Sequence, residues 1–592
     1  MTTTQQPPTA QNGGSNGDKG LKGGALGLMS SVVIAVASTA PGYSLAATLA
    51  FIVLAAGLKA PAILLLAFVP MYFTAKAYQD FNEIDPDCGT TFKWGWRAFG
   101  PHTGWLGGWG IIIADIIVMA SLSQVAGSYF WLLLGKDDVA ANTTGLAVTG
   151  VGVLFLVVVT WICYRGIELS ARTQYVLLGI ELAILFVFAF VALVKVYTDN
   201  ALDTSVTPEL SWLWPGGLTL SQIAEGLIIA IFIYWGWDTA VAVNEETADP
   251  SKTPGRAAIL ATIALVVTYV VIATAAQAFG GEEGVTNEEH QDDVLGYLGE
   301  LVLGTWGGKL LILAVLTSAV ASAQTTILPT ARTTLSMAAF RAMPRSFARI
   351  HPQYLTPTVS TIVMGFVSIV FYVGMTQVSE NLLADTIAAT GLAIAFYYGL
   401  TGFAAAWYFR KPERRKNHWF SHLVLPALGG IMLFGAMIKV AVDSMDPDYG
   451  YTTFFGLGGV FVIGVGALAL GLLLMVAWNA VAPEYFRSRP SDIEPRILVD
   501  HLVVEEHRIV LEAPGVAYNP EAMLASGREE PVTPEQIEAL AAEADETEVP
   551  PWRADLGDES RSPEPTEPAH PVVGPYAEPE EPADGEQRPP IA

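Results

Sequence analysis

The sequence is poor in charged residues and in cysteine, and each shortage excludes a class of protein. Only 15% of the 592 residues are Asp, Glu, Lys or Arg, whereas a soluble domain carries roughly a quarter. This composition excludes a water-soluble protein of several domains. The two cysteines, Cys88 and Cys163, are too few for a disulfide framework, and we expect both on the cytoplasmic side, where thiols stay reduced.

Basic residues are the scarcer of the two signs. The chain has 31 Lys and Arg against 57 Asp and Glu, which gives a net charge of −26. This balance excludes a basic nucleic-acid-binding protein. Residues 482–592 alone carry a net charge of −18 and the rest of the chain −8. The low isoelectric point, about 4.6, therefore describes an acidic tail rather than the body of the protein.

Sequence signatures of catalysis are missing as well. The eight histidines show no spacing typical of metal ligands, and no P-loop Lys-Ser/Thr motif indicates ATP binding. No set of nucleophile, base and metal ligands indicates an intramembrane enzyme. We therefore predict that the chain is not an enzyme and has no catalytic residues, no metal site and no cofactor.

Long apolar runs are what the sequence has in abundance. Each run is near the roughly 20 residues that cross a bilayer core of about 30 Å, and backbone groups in lipid must form their hydrogen bonds within the segment. The pattern predicts an all-α membrane protein with twelve transmembrane helices. The runs lie at about 26–56, 60–78, 104–134, 144–164, 173–197, 219–243, 258–279, 305–328, 358–376, 383–409, 421–442 and 454–481.

Lys and Arg are distributed unequally between the two ends of these runs. Eighteen lie on one side and five on the other. Because cytoplasmic loops carry the excess of Lys and Arg, the count predicts a multi-pass protein of the plasma membrane with both termini in the cytoplasm. The polar residues 1–25 are expected to form a disordered cytoplasmic segment.

The acidic tail, 482–592, is predicted to be a separate and largely disordered cytoplasmic unit. From Pro550 onward it has too few apolar residues to offset the entropy lost on ordering. A capping-box pattern at 533–536 predicts a short helix through about Glu546, and residues 497–510 have enough apolar side chains to pack against something. A solvated tail and a regulatory or partner-docking tail both remain open.

Two apolar runs are interrupted by residues that break helices. The first run contains Pro41 and Gly42 after two hydroxyl residues, and the sixth contains Gly236 between two tryptophans, followed by Asp238. Proline removes a backbone donor and glycine permits unusual dihedral angles. A single break in a membrane helix is commonly a kink without function. One break in each half, five runs apart, indicates an inverted-repeat transporter with its site near the bilayer midplane.

Three connections between runs carry a resemblance to a known family. The residues are Tyr78, Phe81, Pro86, Gly89, Thr90, Thr91, Phe92, Phe99, Gly100, Pro101, Gly104, Trp105, Gly107, Gly108 and Trp109 after the second run; Glu245, Glu246, Thr247, Ala248, Asp249, Pro250, Pro254, Arg256 and Ala257 after the sixth; and Ala331, Arg332, Met337, Ala338, Arg341, Met343, Pro344, Phe347, His351 and Pro357 after the eighth. With these three motifs in this order, the chain resembles the amino acid–polyamine–organocation (APC) permeases over residues 26 to about 480. It departs from them in lacking the common glycine-rich form of the first break.

The resemblance implies a five-plus-five inverted repeat. Helices 1–10, at 26–410, would form the transport core, with helices 11 and 12, at 411–481, outside it. It also implies a secondary active importer of neutral or cationic amino acids that works by alternating access. A polyamine or amine permease, an amino acid exchanger and a transceptor that signals through its tail remain as alternatives. The expected partners are the substrate, a coupling ion and the lipid bilayer, with no nucleic acid.

The same resemblance assigns substrate-binding residues to the two breaks. They are Ser38, Thr39, Ala40, Pro41 and Gly42 in the first, and Tyr234, Trp235, Gly236, Trp237 and Asp238 in the second. Backbone amides at a half-helix N-terminus would hold a carboxylate, and carbonyls of the opposing half an ammonium. Pro41 removes one such amide, which the hydroxyls of Ser38 and Thr39 could replace. Trp237 is a candidate lid over the substrate, with helix packing as the alternative.

Residues for ion coupling are the least specified part of the prediction. Carboxylates at bilayer depth are costly and usually functional. Asp115 and Glu181 are candidates to carry a proton or to pair with arginines, and Asp238 to bind substrate or to cap the second half of its helix. The hydroxyls of Thr317, Ser318 and Ser322 are candidate sodium ligands, although hydroxyls also serve helix packing. Proton coupling, sodium coupling and exchange all remain open.

Overall fold

The fold is mostly helical. A computed structural model describes residues 19–198, 200–287, 293–378, 382–415 and 418–499, with the backbone of 504–505 and 508–509. The chain divides into two units after residue 518, and all the described residues belong to the first. The whole second unit, including the helix predicted near residue 533, and most of the predicted N-terminal segment 1–25 lie outside the described residues.

The helices follow the apolar runs closely. Their bounds are α1 Leu28–Thr39, α2 Pro41–Ala56, α3 Ala60–Ile84, α4 Thr91–Phe99, α5 Pro101–Leu133, α6 Asp137–Ala141, α7 Leu146–Arg165, α8 Ile167–Tyr197, α9 Leu220–Tyr234, α10 Thr239–Ala242, α11 Thr253–Val285, α12 Val294–Ala339, α13 Thr358–Thr376, α14 Leu382–Tyr408, α15 Pro412–Arg415, α16 Leu425–Asp443, α17 Gly459–Val481 and α18 Pro483–Phe486. The strands are two-residue pairs: β1 Arg349–Ile350, β2 Thr453–Phe454, β3 Leu457–Gly458, β4 Leu498–Val499, β5 Val504–Glu505 and β6 Arg508–Ile509.

Ten helical regions are long and apolar enough to cross a membrane among the residues that the structure describes. The first of them, Leu28–Ile84, contains α1, α2 and α3, whereas α9 is apolar but shorter than the rest. A multi-pass α-helical membrane protein, as the composition predicts, is therefore confirmed.

One predicted run is much shorter than its helix. The run at 305–328 corresponds to α12, which begins at Val294, bends at Gly304 (φ 77°) and continues to Ala339. Hydropathy ends the run early because polar residues such as Arg332 follow it. The helix continues because Arg332 is buried in an ion pair with Glu246.

The helices that carry the two breaks lie at the centre of the packing. α2 packs against α9 and α12, α1 packs against α11 and α12, and α10 packs against α12. Helices α5, α8 and α14 surround this group, and nearly all residues of α1, α2 and α9 near the breaks are buried. At the periphery, α17 leaves large apolar side chains such as Leu473 exposed (69%), as a surface in contact with lipid requires.

Both ends of the described chain meet on one face, which we call the terminal face. β4 pairs in parallel with β1, and the Arg496 amide donates to the Ala339 carbonyl at 3.0 Å. Ile497 shares a buried apolar cluster with Leu21 near the N-terminus. The folded part of the chain therefore continues beyond residue 481, where the prediction places the start of the tail.

Candidate substrate site

The first break is a single residue wide. α1 ends at Thr39, Ala40 has left-handed dihedral angles (φ 49°, ψ 66°), and α2 starts with Pro41. A left-handed conformation costs an alanine roughly 1–2 kcal/mol, so the surrounding contacts must hold it. Proline is suited to the first position of α2, because that position needs no backbone donor. The helix is interrupted where the sequence predicts, over a shorter stretch than 37–44.

The second break is wider and touches the first. α9 ends at Tyr234, Trp235 is extended, and Gly236 has φ 118° before α10 starts at Thr239. A Cβ at Gly236 would lie 2.7 Å from the carbonyl carbon of Ser38, so only glycine allows this approach. The Ser38 and Thr239 hydroxyls are 2.8 Å apart. The structure thus brings the two predicted breaks into direct contact.

Side-chain hydroxyls satisfy the carbonyls that the breaks set free. Ser322 on α12 donates to the Ser38 carbonyl at 2.8 Å, and Ser44 donates to the Thr39 carbonyl at 2.6 Å. Tyr269 on α11 donates to the carbonyl of Ile233 at 2.5 Å. Ser322 therefore contacts the first break as a hydrogen-bond donor, and its role as a sodium ligand stays a prediction.

The amides at the start of α2 hold a carboxylate that belongs to the protein. The Gly42 amide donates to Glu181 Oε1 at 2.7 Å. The Tyr43 amide donates to Ser318 Oγ at 3.2 Å, and Ser318 donates to the same Glu181 oxygen at 2.8 Å. The alternative in which Glu181 pairs with an arginine is wrong, because no ion pair among the described residues involves it.

The hydroxyls expected to replace the missing Pro41 amide bond groups of the protein in this structure. Ser38 bonds Thr239, and Thr39 donates to the Val36 carbonyl at 2.6 Å within its own helix. The Thr317 hydroxyl likewise donates to carbonyls of α12. The binding roles of Ser38 and Thr39 and the sodium role of Thr317 stay predictions.

Two further carboxylates lie near the second break. Asp238 Oδ2 accepts a hydrogen bond from the Tyr397 hydroxyl at 2.9 Å, and Asp238 makes no side-chain capping bond to α10. The alternative that it caps its helix is therefore wrong. Asp115 accepts a hydrogen bond from Thr330 and lies close enough to Asp238 for the two charges to repel. Neither carboxylate takes part in an ion pair within the described part of the chain.

The Trp237 ring packs on the side of the site that faces the terminal face. It is fully buried, 4.8 Å from the Tyr398 ring and 5.1 Å from the Tyr78 ring, measured between centroids. Tyr78 in turn contacts Trp94 of α4 at 5.1 Å. The indole Nε1 of Trp237 has no hydrogen-bond partner among the described residues. If Trp237 covers a substrate, it does so from the terminal-face side.

Sequence reasoning missed several side chains that line the breaks. Tyr397 contacts both Asp238 and the Trp235 indole, Tyr269 holds the end of α9, and Thr330 holds Asp115. The signal that could have found them is a polar side chain within an apolar run. Tyr397, Tyr269 and Thr330 neither break a helix nor carry a charge, so the signals of helix breakers and carboxylates do not point to them.

A network of ion pairs lies at the terminal face. Lys19 pairs with Asp87 at 3.1 Å and with Glu245, and Arg332 forms two hydrogen bonds with Glu246, at 2.7 and 2.9 Å. We call these five residues the terminal-face ion network. Burial favours the protonated form of Asp87, but the nearby Lys19 and Lys93 ammonium groups overcome it and lower the Asp87 pKa to about 2.

The same network contains a group of atoms with the spacing of a metal site. Ligand atoms of Asp87, Cys88 and Glu245 lie within 4.8 Å of one another. The Lys19 ammonium contacts both carboxylates, so their charge is balanced without a metal. The prediction of no metal site stands as a prediction.

The ten residues predicted to bind substrate are all buried. They belong to two interrupted helices that touch each other at the breaks, inside a protein whose other long helices are apolar enough to cross a bilayer. Two such breaks in contact within a helical membrane protein are the architecture of a membrane transporter.

Comparison with known proteins identifies the family. The chain belongs to the amino acid permease family, whose model matches residues 26–478. It is 28% identical over 343 residues to an uncharacterized transporter of Mycobacterium tuberculosis, an alignment covering 58% of this chain and 72% of the relative. The family and its relatives are permeases and transporters, so the prediction that the chain is not an enzyme is confirmed.

Two relatives are named for the substrates that they transport. A methylthioribose transporter of Bacillus subtilis is 23% identical over 349 residues, 56% of this chain and 71% of the relative. An arginine/ornithine antiporter of Lactococcus lactis is 23% identical over 341 residues, 54% of this chain and 66% of the relative. The chain is similar to both, and their different substrates leave its own substrate to be argued from the site.

Proposed function

We propose that the protein is a secondary active transporter that imports small molecules bearing a cationic amino group. The candidates are the cationic amino acids and the amines that share their side chains. Alternating access would proceed about the two breaks, with the terminal-face ion network opening toward the cytoplasm. The family supports transport of a small amino acid substrate, and the site supports the preference for a cation.

The single observation that carries the proposal is a set of three buried carboxylates at the breaks that have no cationic partner among the described residues. Asp115, Glu181 and Asp238 are at most 4% exposed, and the hydrogen bonds they accept there come from hydroxyl and amide groups. Ionised groups at bilayer depth are costly and usually meet a counter-charge from substrate, proton or partner. A cationic amino acid brings two positive charges and a neutral one brings only one. Three carboxylates therefore favour cationic over neutral substrates.

The proposed membrane topology keeps the twelve crossings of the sequence prediction. Leu28–Ile84 has 57 residues, roughly 85 Å of helix at 1.5 Å per residue, which is far more than one crossing of about 30 Å needs. We assign one crossing to α1 with α2, one to α3 and one to α9 with α10. Helices α1–α14 would then form the five-plus-five repeat, and α16 and α17 would lie outside it.

The proposed orientation places the terminal face in the cytoplasm and the protein in the plasma membrane. Eighteen Lys and Arg lie at the helix ends on this side and five at the ends on the other side, which supports this orientation. Exchange is the second candidate mechanism, because one relative is an arginine/ornithine antiporter. Proton and sodium coupling both stay candidates, because Ser318 and Ser322 donate their hydroxyl protons within the site and keep oxygen lone pairs that could meet a cation.

The test is uptake into proteoliposomes of labelled arginine, ornithine, leucine, putrescine and agmatine. Imposed gradients of protons or sodium, and internal unlabelled amino acid, separate the three modes of coupling. We expect saturable uptake of cationic compounds, lowered at least tenfold by Asp238→Asn and unchanged by Asp137→Asn, which alters an exposed aspartate. Uptake of leucine alone, or equal uptake by Asp238→Asn, would contradict the proposal.

A further inference from the structure

Glu181 lies where a substrate carboxylate would bind, and this position has a consequence for specificity that rests on the proposed function. We propose that Glu181 is a specificity-determining residue. Its carboxylate accepts hydrogen bonds at the start of α2, where the carboxylate of a substrate would otherwise bind. The site would then favour amines over the amino acids with the same side chain. The substrate class is a small primary amine or diamine without a carboxylate.

The start of α2 offers few backbone donors to a ligand. A helix N-terminus presents amides without intrahelical partners at the positive end of the helix dipole, and it binds anions for that reason. In this 16-residue helix, Pro41 has no amide hydrogen and Ser44 already bonds the Ala40 carbonyl at 2.7 Å. Only the Gly42 and Tyr43 amides remain. The first donates to Glu181 and the second to Ser318, which donates to Glu181.

The carboxylate at the start of α2 comes from a distant helix. An ordinary helix cap comes from a residue next to the helix in sequence, whereas Glu181 lies 139 residues from Gly42, in the middle of α8. It is completely buried. The fold therefore brings an acidic side chain from another helix to a place where a local serine or aspartate would suffice.

The second oxygen of the Glu181 carboxylate is left open. Glu181 Oε2 has no hydrogen-bond partner among the described residues, although buried polar atoms are nearly always paired. The Tyr234 hydroxyl and the Trp237 indole, both in the second break, are also buried without a partner there. An acceptor left open on a buried carboxylate suits the ammonium group of a ligand.

Glu181 should therefore interact differently with an amino acid and with its decarboxylated amine. The amine would bring an ammonium to Glu181 Oε2 and would need no amide of α2. The carboxylate of the amino acid must either displace Glu181 from the amides or lie beside a like charge, which is unfavourable at this distance. The two compounds are otherwise the same. Arginine with agmatine, ornithine with putrescine, and lysine with cadaverine are therefore matched pairs.

The experiment measures both members of each pair with the full chain in proteoliposomes. Uptake and equilibrium binding are compared for wild type, Glu181→Ala and Glu181→Gln, with Glu225→Ala as the control because Glu225 is exposed. We expect the wild type and the control to prefer the amine about ten- to a hundredfold, the worth of one charge-assisted hydrogen bond. Glu181→Ala should lose or reverse this preference by freeing the amides for the substrate carboxylate.

Glu181→Gln keeps the shape of the side chain and removes the charge, so it tests the inference if Glu181→Ala does not fold. We expect its preference for the amine to fall toward one. Wild-type preference for the amino acid in every pair, or the wild-type ratio in both variants, would overturn the role of Glu181 while leaving the proposed function intact. No saturable uptake or binding of any of the six compounds would overturn both.

Discussion

Two sets of buried carboxylates in this protein differ in what they contact. At the terminal face, Glu246 is paired with Arg332, and Asp87 and Glu245 share Lys19. The second set lies at the breaks, where Asp115, Glu181 and Asp238 contact hydroxyls and amides and have no basic partner in the described part of the chain.

The difference separates a structural role from a binding role. Carboxylates at the terminal face carry their own counter-charges, so they can hold two segments together in the closed state. On the proposed function, those at the breaks receive theirs from the substrate. Burying an acid without a partner costs free energy, and binding of a cationic substrate would recover that cost.

The largest effect is expected at the terminal face, from loss of the buried Arg332. Arg332→Ala leaves Glu246 buried without its partner, which should lower the free energy of unfolding by about 3–5 kcal/mol. The measurement is thermal or denaturant unfolding in detergent. The double variant with Glu246→Ala should recover part of the loss. A double variant no more stable than Arg332→Ala would show that the ion pair is not the cause.

A smaller effect is expected from Lys19, since its partners keep other contacts. Asp87 retains a hydrogen bond from Ser336 at 2.7 Å and lies 3.9 Å from Lys93, so Lys19→Ala should cost about 1–3 kcal/mol. The same change should expose Cys88, which is fully buried beside the network. Maleimide labelling in a Cys163→Ser background measures this exposure, and we expect it to accelerate. Unchanged labelling would mean that Lys19 does not keep this face closed.

The smallest effect on stability is expected at the breaks. Asp238→Asn removes an unpaired charge and keeps an acceptor for Tyr397, so the free energy of unfolding should change by less than about 1 kcal/mol. Glu246→Gln is the matched substitution at the terminal face, and it should cost more because Arg332 loses its counter-charge. Equal losses in the two variants would remove the distinction between the two regions.

The breaks could be predicted because their signals are local. Pro41, Gly42 and Gly236 interrupt apolar runs, and each restricts or frees the backbone at its own position. Face and partner could not be predicted in the same way. Thr317 and Ser318 are neighbours in sequence, but the packing of α12 turns only Ser318 toward Glu181.

Contacts between distant segments account for the rest of what the sequence concealed. Glu181 meets Gly42 only because α8 packs near the start of α2. Lys19 counts in the sequence as one of the charges flanking a membrane helix, whereas in the fold it is buried between two carboxylates. Such pairings depend on three-dimensional packing, which charge counts and periodicity do not describe.

The most direct test of the central claim, that the carboxylates at the breaks receive their cation from the substrate, is ligand-dependent thermal stability. The Tm of the purified chain is measured with and without agmatine or arginine, in wild type, Asp238→Asn and Asp137→Asn. The account predicts a rise in Tm for wild type and the control, equivalent to about 2.7 kcal/mol at a hundredfold excess over Kd, and a much smaller rise for Asp238→Asn. An equal rise in Asp238→Asn, or no rise in wild type with either cation, would contradict it.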